Sequence, residues 1–533
     1  MTQGKSDGST AGLSGGFDPR AWRGEARSAA GIPTLTILCH PDLRRVGEWT
    51  LLPEVPLGLK ALVGRNAPEF SSPQRPSGEP LADRYISREP IQLEPGSDGG
   101  VVLSLAGSRT RLEADGVPVL QTREVSAAAI EEGVPLTLSG RILLLLHLRH
   151  NVPAEPASRF GLVGESERIA RVRMDIRRVA DLNIPVLIRG ETGTGKELVA
   201  RALHDAGPRR SQPFVAVNLG ALAPSLVASE LFGAVKGAYT GSVQTQDGYF
   251  RRAHGGTLFL DEIGEAPPEV QVMLLRALET GEISPVGSQS GSHVDVRVLA
   301  ATDSDLEEKA RGGQFRAPLL HRLSGYEVWL PPLRERKEDI ARLFFHFLQT
   351  ELEAIGEGQR LGQELWVPPE LVARLVAFDW PGNVRQLRNV TRQLAIGSRG
   401  LPRLQAGPAV ERLLHGSGAM NALMDSRPRL PAASTAPPAN RRRPSDVGEE
   451  ELTAALRLNR WDLQATAEAL QISRPSLYAL IESSSTVRKA GDLSTDEIAR
   501  CFEECAGDLD AMVDRLEVSR KALARRLREL RLT

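Results

Sequence analysis

The chain counts 533 residues, 41% apolar and 25% charged, with 66 Lys and Arg against 67 Asp and Glu for a formal net charge of -1. This is the composition of a globular protein of roughly three or four domains. The first thirty residues lack an apolar core and exclude a secretory signal, and the longest aliphatic run, ILLLLHL at Ile142–Leu148, is far too short to span a bilayer. The expectation is a cytoplasmic protein with no membrane partner. Cys39, Cys501 and Cys505 form no metal-ligand spacing and read as reduced thiols, the last two on a predicted helix.

In chain order, residues 1–33 are Gly/Ser-rich and predict a disordered terminus. Residues 34–150 alternate short β-type runs with turn residues: TLTILC, GEWTLL, KALVGR, EPIQL, GVVLSL, TRLEADG, VPLTLSG and ILLLLHL. That spacing predicts an all-β sandwich. From 158 to 332, helical patterns alternate with the buried runs IPVLIRG, FVAVNLG, GTLFLDE and DVRVLAATD, which predicts an α/β domain with a parallel sheet. Residues 333–400 carry only helical patterns, a small lid. A Pro/Ala/Ser-rich linker is predicted at 401–446. Residues 447–533 hold an internal repeat, WDLQATAEALQISRPSLYALI from Trp461 aligning with GDLDAMVDRLEVSRKALARRL from Gly507 at a period of 46. Each copy reads as helix, turn, helix, with Ser473 or Ser519 as N-cap.

The chemistry begins at Gly190-Glu191-Thr192-Gly193-Thr194-Gly195-Lys196, which fits G-x-x-x-x-G-K between an apolar strand and a helix. Glycines let backbone N–H groups approach phosphates, the helix N-terminus adds positive potential, and Lys196 reaches the outer phosphates. Glu197 stands where the general pattern has Ser or Thr. Downstream, Leu258-Phe259-Leu260-Asp261-Glu262 is an apolar strand ending in two carboxylates. Asp261 suits Mg²⁺ held through water, and Glu262 suits polarisation of an attacking water. A chance Gly-rich turn and a stray acidic pair are the bland alternatives, and their succession at this distance argues against both.

On these motifs, the stretch from Phe160 to Gly400 resembles the bacterial enhancer-binding activators of sigma-54 RNA polymerase, which are AAA+ ATPases. The resemblance is carried by GETGTGKE, ELFGAVKGAYTGS, GGTLFLDEIGE, FRAPLLHRL, LPPLRERKEDI and WPGNVRQLRN. It implies ATP and Mg²⁺ as cofactors and makes Glu197 the ordinary residue after the lysine. It further implies that Asn218 restrains the catalytic Glu262 and that Arg385 senses nucleotide from the lid. Arg316 and Arg322 are implied to be fingers reaching a neighbouring subunit's γ-phosphate. A lone arginine is otherwise more often a surface ion pair. Fingers acting in trans imply a ring, a hexamer by resemblance, with a dimer as the inactive form. Several positions depart from the family pattern: Asp303 replaces an Asn and would repel phosphates unless paired or protonated, Ala234-Val235 replaces His-Glu, and Pro318 replaces an acidic residue near a helix start.

In the same family, the equivalent of Gly237-Ala238-Tyr239-Thr240-Gly241-Ser242 tips a loop that contacts sigma-54 and remodels the closed promoter complex. Two glycines permit a tight turn, while Tyr239 offers apolar area and Thr240 a hydrogen-bonding group. The family ends in a Fis-type helix-turn-helix, which both C-terminal copies resemble. The second copy is the more basic, and Ser519, Arg520, Lys521, Arg525 and Arg526 are its candidates for double-stranded DNA upstream of promoters. In the first, Ser473, Arg474 and Tyr478 are candidates, against a plain dimerisation element.

The N-terminal segment resembles a forkhead-associated (FHA) domain at Arg65 of KALVGR, Ser87 and Arg88 of YISRE, and Asp115-Gly116. That implies a phosphothreonine protein or kinase as partner, since a guanidinium and a hydroxyl at loop tips suit phosphate. Pro90, Thr110 and Asp115 depart from the pattern, and a degenerate sandwich docked on the ATPase ring is the alternative. No receiver-type phosphoacceptor pattern is present. The expected function is ATP-driven activation of sigma-54 promoters under an FHA-like module; the alternatives are a DNA-binding regulator whose ATPase is only a switch, and a generic AAA+ remodeller.

Overall fold

The computed structural model describes residues 31–73, 75–150, 159–237, 244–288, 290–363, 365–414, 447–459, 493–505 and 508–518, with isolated positions beyond 459. Residues 1–30 of the predicted disordered terminus and residues 238–242 lie outside the described residues, while its last two, Ile32 and Pro33, already belong to the first strand, paired with Arg149 and Leu148.

Each of the eight β-type runs forms a strand. Strand β1 (Ile32–Cys39) sits mid-sheet between Trp49–Leu51 and β2 (Ile142–Arg149), in an eight-stranded antiparallel sheet. Four further strands are short, and two of them, Arg75–Glu79 and Val117–Pro118, are the edges of that sheet. Both carry a proline, which edges tolerate because one backbone side is unpaired. A second sheet of four strands, Thr122–Val125, Val101–Ser104, Ile91–Pro95 and Ala61–Val63, closes the sandwich. Leu35, Ile37, Leu93, Leu103, Leu144 and Leu146 fill the space between the sheets.

The run ILLLLHL has no polar alternation because both of its faces are covered. Leu144 and Leu146 point into the sandwich, while Leu143 and Leu145, with Leu38 of β1, point into a second core shared with the lid. Burial of each such leucine contributes on the order of 2 kcal/mol.

The α/β subdomain has five parallel strands in the order β4 (Phe214–Asn218), β5 (Thr257–Asp261), β6 (Arg297–Thr302), β3 (Val186–Arg189), β7 (Glu327–Trp329). Helix α1 (Glu167–Val179) precedes β3 and α2 (Lys196–Asp205) follows it; α3 (Pro224–Phe232), α4 (Pro268–Thr280), α5 (Leu306–Arg311) and α6 (Ala317–Leu323) fill the other crossovers. Such a sheet presents its ligand site at the carboxyl ends of its strands. Pro318 is the second residue of α6, where a proline removes no helical hydrogen bond.

The lid comprises α7 (Lys337–Ala354), α8 (Pro369–Ala377) and α9 (Asn383–Gly397). Its core includes Leu404 and Val410, so packed structure continues into the segment read as linker, whose remainder from 415 to 446 lies outside the described residues.

The C-terminal residues form a separate compact unit. Helix α10 (Glu449–Leu458) begins 46 residues before α11 (Thr495–Glu504), and both are ten residues long. The 46-residue period thus extends upstream of the aligned segments, to a helix ahead of each copy. Leu456, Trp461, Leu477, Ile498, Met512, Leu516 and Leu523 share one core across both copies. Arg457 clasps Glu517 after α12 (Leu509–Leu516) at 2.8 and 3.0 Å. Cys501 and Cys505 are free thiols 3.8 Å apart. No described helix is long and apolar enough to cross a membrane.

Candidate active site

The site is assembled at the carboxyl ends of β3, β4, β5 and β6. Lys196 opens α2 and turns back over its loop, donating to Gly190 O at 2.8 Å and Glu191 O at 3.3 Å. Its ammonium pKa is lowered by burial, against which Asp303, Asp261 and Glu262 act. Those opposing charges, with Arg385 beside them, place the expected phosphate-binding lysine and both strand-end carboxylates in one electrostatic neighbourhood.

Asp303, the departure that directly follows β6, is paired and ionised. Its carboxylate accepts from Thr192 Oγ1 at 2.5 Å, and that bond, with Lys196 nearby, holds its pKa below the usual range. The repulsion feared for an extra carboxylate is thereby offset within the protein.

Asp261 ends β5 with one oxygen accepting from the Glu262 N–H at 3.1 Å and the other from Asn218 Nδ2 at 3.1 Å. The amide of Asn218 thus goes to Asp261 and not to Glu262, while its carbonyl caps the turn at Ala221 N. Glu262 itself adopts φ 55°, a left-handed conformation uncommon for a residue with a side chain. Its Oε2 lies so close to Gly220 that any Cβ there would run into it. The donor set suits a hard cation: a carboxylate at a strand end, followed by a second and beside a lysine and a phosphate-type loop, fits Mg²⁺ held through water.

The lid supplies what sequence reasoning missed. Arg334, just after β7, binds Glu191 with two bonds of 2.6 and 2.9 Å, and holds that carboxyl below its usual pKa range. Asn383 at the start of α9 donates to Glu191 Oε2 and to Thr192 O, both at 3.1 Å, and accepts from Leu333 N at 2.7 Å. Arg385 N donates to Gly193 O at 3.2 Å, so the residue implied to sense nucleotide is bonded to the P-loop through its backbone. The quoted motifs LPPLRERKEDI and WPGNVRQLRN held the signal, two polar residues next to helix breakers, but nothing in them names Glu191 as their partner.

A family model of the Sigma-54 interaction domain matches residues 162–329, and one of the AAA+ ATPase lid domain matches residues 334–403. The transcriptional regulatory protein ZraR of Klebsiella oxytoca is 38% identical over 351 residues, 64% of this chain and 73% of its own. The chain belongs to the sigma-54-interacting AAA+ regulators. The DNA-binding transcriptional regulator NtrC of Escherichia coli (strain K12) is 48% identical over 239 residues, which are 45% of this chain and 50% of that protein. NtrX from Brucella abortus, solved in complex with ATP, is 30% identical, with 69% of each chain covered and a TM-score of 0.43. This member of the regulators spans about half the length of the NtrC relatives it matches.

In this sigma-54-interacting regulator, the remaining candidates are dispersed. Arg316 caps α6 and Arg322 lies on it, both exposed, the latter donating to Leu278 O at 3.1 Å. Of the GAYTGS residues only Gly237 is described, exposed at φ 85°; Ala238, Tyr239, Thr240, Gly241 and Ser242 lie outside the described residues. The stems on either side are pinned: Ala234 and Gln246 exchange bonds of 3.1 and 2.9 Å, and Val235 N donates to Val286 O at 3.1 Å.

On the sandwich, Arg65, Ser87 and Arg88 come together, with Arg65 N donating to Ser87 O at 3.1 Å. The Arg65 guanidinium is spent on loop carbonyls, Ile86 O at 2.8 Å and Arg84 O, whereas Arg88 is exposed. Thr110 Oγ1 accepts from Ser87 N at 3.0 Å. In the C-terminal unit Arg526 is described on a short helical stretch, and Ser473, Arg474, Tyr478, Ser519, Arg520, Lys521 and Arg525 lie outside the described residues.

Proposed function

We propose that this chain is a sigma-54-dependent transcription activator that binds DNA upstream of its promoters and uses ATP hydrolysis by a hexameric ring to remodel the sigma-54 RNA polymerase closed complex. The observation that carries this reading is the pairing of the P-loop and strand-end carboxylates with GAYTGS on pinned stems. A nucleotide-dependent switch or a generic remodeller has no use for that hexapeptide.

At the site, backbone N–H groups of Gly190–Gly195 and the α2 N-terminus cradle phosphates, with Lys196 on the outer ones. Asp261 would hold Mg²⁺, which when bound would supply charge neutralisation to the phosphates. Glu262 orients and polarises the attacking water, and a neighbouring subunit's Arg316 and Arg322 stabilise the charge that develops in transfer. Asn218, by holding Asp261, positions the carboxylate pair.

The test is to trap the full chain with sigma-54 in the presence of a transition-state analogue of ATP. A stable complex is expected, and Thr240→Ala is expected to lose it while ATP turnover stays within about threefold. No complex from the parent chain, with ATPase activity intact, would sink the activator reading; loss of turnover in Thr240→Ala would make GAYTGS a structural turn.

The FHA-like module is proposed to read phosphothreonine through Ser87 and the exposed guanidinium of Arg88, with Arg65 shaping the loop. Titration of the chain with a phosphothreonine peptide and its unphosphorylated twin decides this, equal affinities rejecting the phosphate role.

A further inference from the structure

The sandwich is not a bead tethered to the ATPase. The outer face of its larger sheet and the lid share one apolar core, in which Leu38, Leu143 and Leu145 meet Ile340, Phe344 and Leu375. Strands β1 and β2 lie directly against α7 and α8. A sheet face covered in this way moves with the helices that cover it, because separating them would expose three fully buried leucines to water.

At one margin of this seam three parts of the molecule meet. From the sandwich come Gly47, Trp49 and Arg149; from the segment leading into α1 come Glu165 and Glu167; from the start of α7 come Glu338, Asp339 and Arg342. Arg342 donates to Glu165 at 3.4 Å, and its guanidinium lies so close over Gly47 that a Cβ there would run into it. One lid arginine therefore touches both the sandwich and the α/β subdomain. Arg149 answers from the sandwich side, stacked 3.9 Å over the Trp49 ring and 4.0 Å from Glu167. Asp339 completes the junction by holding Ser166, the N-cap of α1, accepting from Glu165 N at 2.6 Å, Ser166 N at 3.0 Å and Ser166 Oγ at 2.5 Å.

Glu165 is also met from its own side by Arg159 at 2.8 Å and Arg173 at 4.0 Å, and Glu167 by His150 at 3.7 Å, but Arg342 and Arg149 are the guanidiniums that reach these acids from the lid and the sandwich. Burial lowers the pKa of both, and each is opposed chiefly by acids of the other parts, Glu167 for Arg149 and Glu165 for Arg342. The crowding of carboxylates shows at Glu338, whose pKa is pushed up to about 7 by burial and by Asp339. Removing either guanidinium takes away the charge that one part of the molecule holds against an acid of another, Glu165 or Glu167.

The lid, in turn, holds the P-loop: Asn383 and Arg334 bind Glu191 and Thr192. Asn383 starts α9, whose Leu387, Val390 and Leu394 belong to the same core as Leu143 and Leu145. A continuous packed path therefore runs from sandwich strands to phosphate loop.

We propose that the β-sandwich is a working part of the lid, with Arg342 and Arg149 as positioning residues whose junction sets how tightly the P-loop holds nucleotide. This rests on the reading of the P-loop as an ATP site. A signal that shifts the sandwich would then reach the nucleotide through the lid without any contact to the ATP itself.

The experiment measures, in the full chain, the Kd of a fluorescent non-hydrolysable ATP analogue and the KM and kcat for ATP. The variants are Arg342→Met and Arg149→Met, which keep the apolar stem, with Arg342→Lys as the conservative partner. The expected result is a five- to twentyfold rise in Kd and KM in both Met variants, kcat within about twofold of the parent, and recovery of most of the affinity in Arg342→Lys. Kd within twofold of the parent in Arg149→Met overturns the proposal, and that variant carries the test if Arg342→Met fails to fold. Failure of the parent chain to bind the analogue would instead sink the nucleotide reading, a different outcome from an unresponsive seam.

Discussion

Glu262→Gln is expected to stop ATP turnover while leaving nucleotide binding intact. The substitution keeps the shape of the side chain and removes its ability to accept a proton, the contribution that general-base catalysis makes at roughly 100- to 10,000-fold. The structure gives Glu262 the setting for that role. It follows the last residue of β5 in a left-handed backbone conformation, its carboxylate reaches across a side-chain-free Gly220, and its charge is among those felt by Lys196. Asp261, by contrast, is tied at both oxygens to Glu262 N and Asn218. Phosphate release in steady state and analogue binding by fluorescence check the two halves separately. A loss of turnover smaller than about tenfold would mean that Glu262 is not the group acting on water.

Gly193→Ala is expected to weaken nucleotide binding at least tenfold, through the lid and not through the phosphates alone. Gly193 has φ +80°, and a methyl group there would collide with the carbonyl oxygen of Gly382 and crowd Arg385 Cβ at 3.1 Å. The left-handed conformation costs alanine about 1–2 kcal/mol, and the collision falls on lid backbone that cannot swing aside as a side chain would. Relief requires α9 to lift from the P-loop, which breaks the Arg385–Gly193 bond and strains those of Asn383. Gly313→Ala is the matched control, since Gly313 has φ +72° and nothing within 4 Å of an added Cβ. It carries the same backbone strain without the collision, so an equal loss of affinity in both variants would remove the lid from the explanation.

Much of the site was legible because its determinants are local. A phosphate loop needs a strand, a run of glycines and a helix start in immediate succession, and Val186 to Asp205 spells all three within twenty residues. The carboxylate pair is likewise the end of one strand. Chain topology then brings these ends together at one edge of a parallel sheet, as such sheets do.

Other features depend on neighbours far away in sequence. Asp303 reads as a liability until Thr192, 111 residues before it, donates to it. Glu191 is a variable position inside a motif until Arg334 and Asn383 close on it across 143 and 192 residues. Arg65 reads from sequence only as a loop-tip guanidinium, and the structure adds that it holds the loop carbonyls of Ile86 and Arg84.

By itself the sequence determined the order of modules, the strands of the sandwich, the P-loop and the carboxylate pair, because periodicity, glycines and helix starts act over a few residues at a time. Tertiary structure alone decided that ILLLLHL is buried on both faces, that the lid grips Glu191, and that sandwich and lid share a core. Those facts rest on apolar packing and paired charges between segments more than a hundred residues apart, and no local pattern encodes which surface a leucine or an arginine will meet.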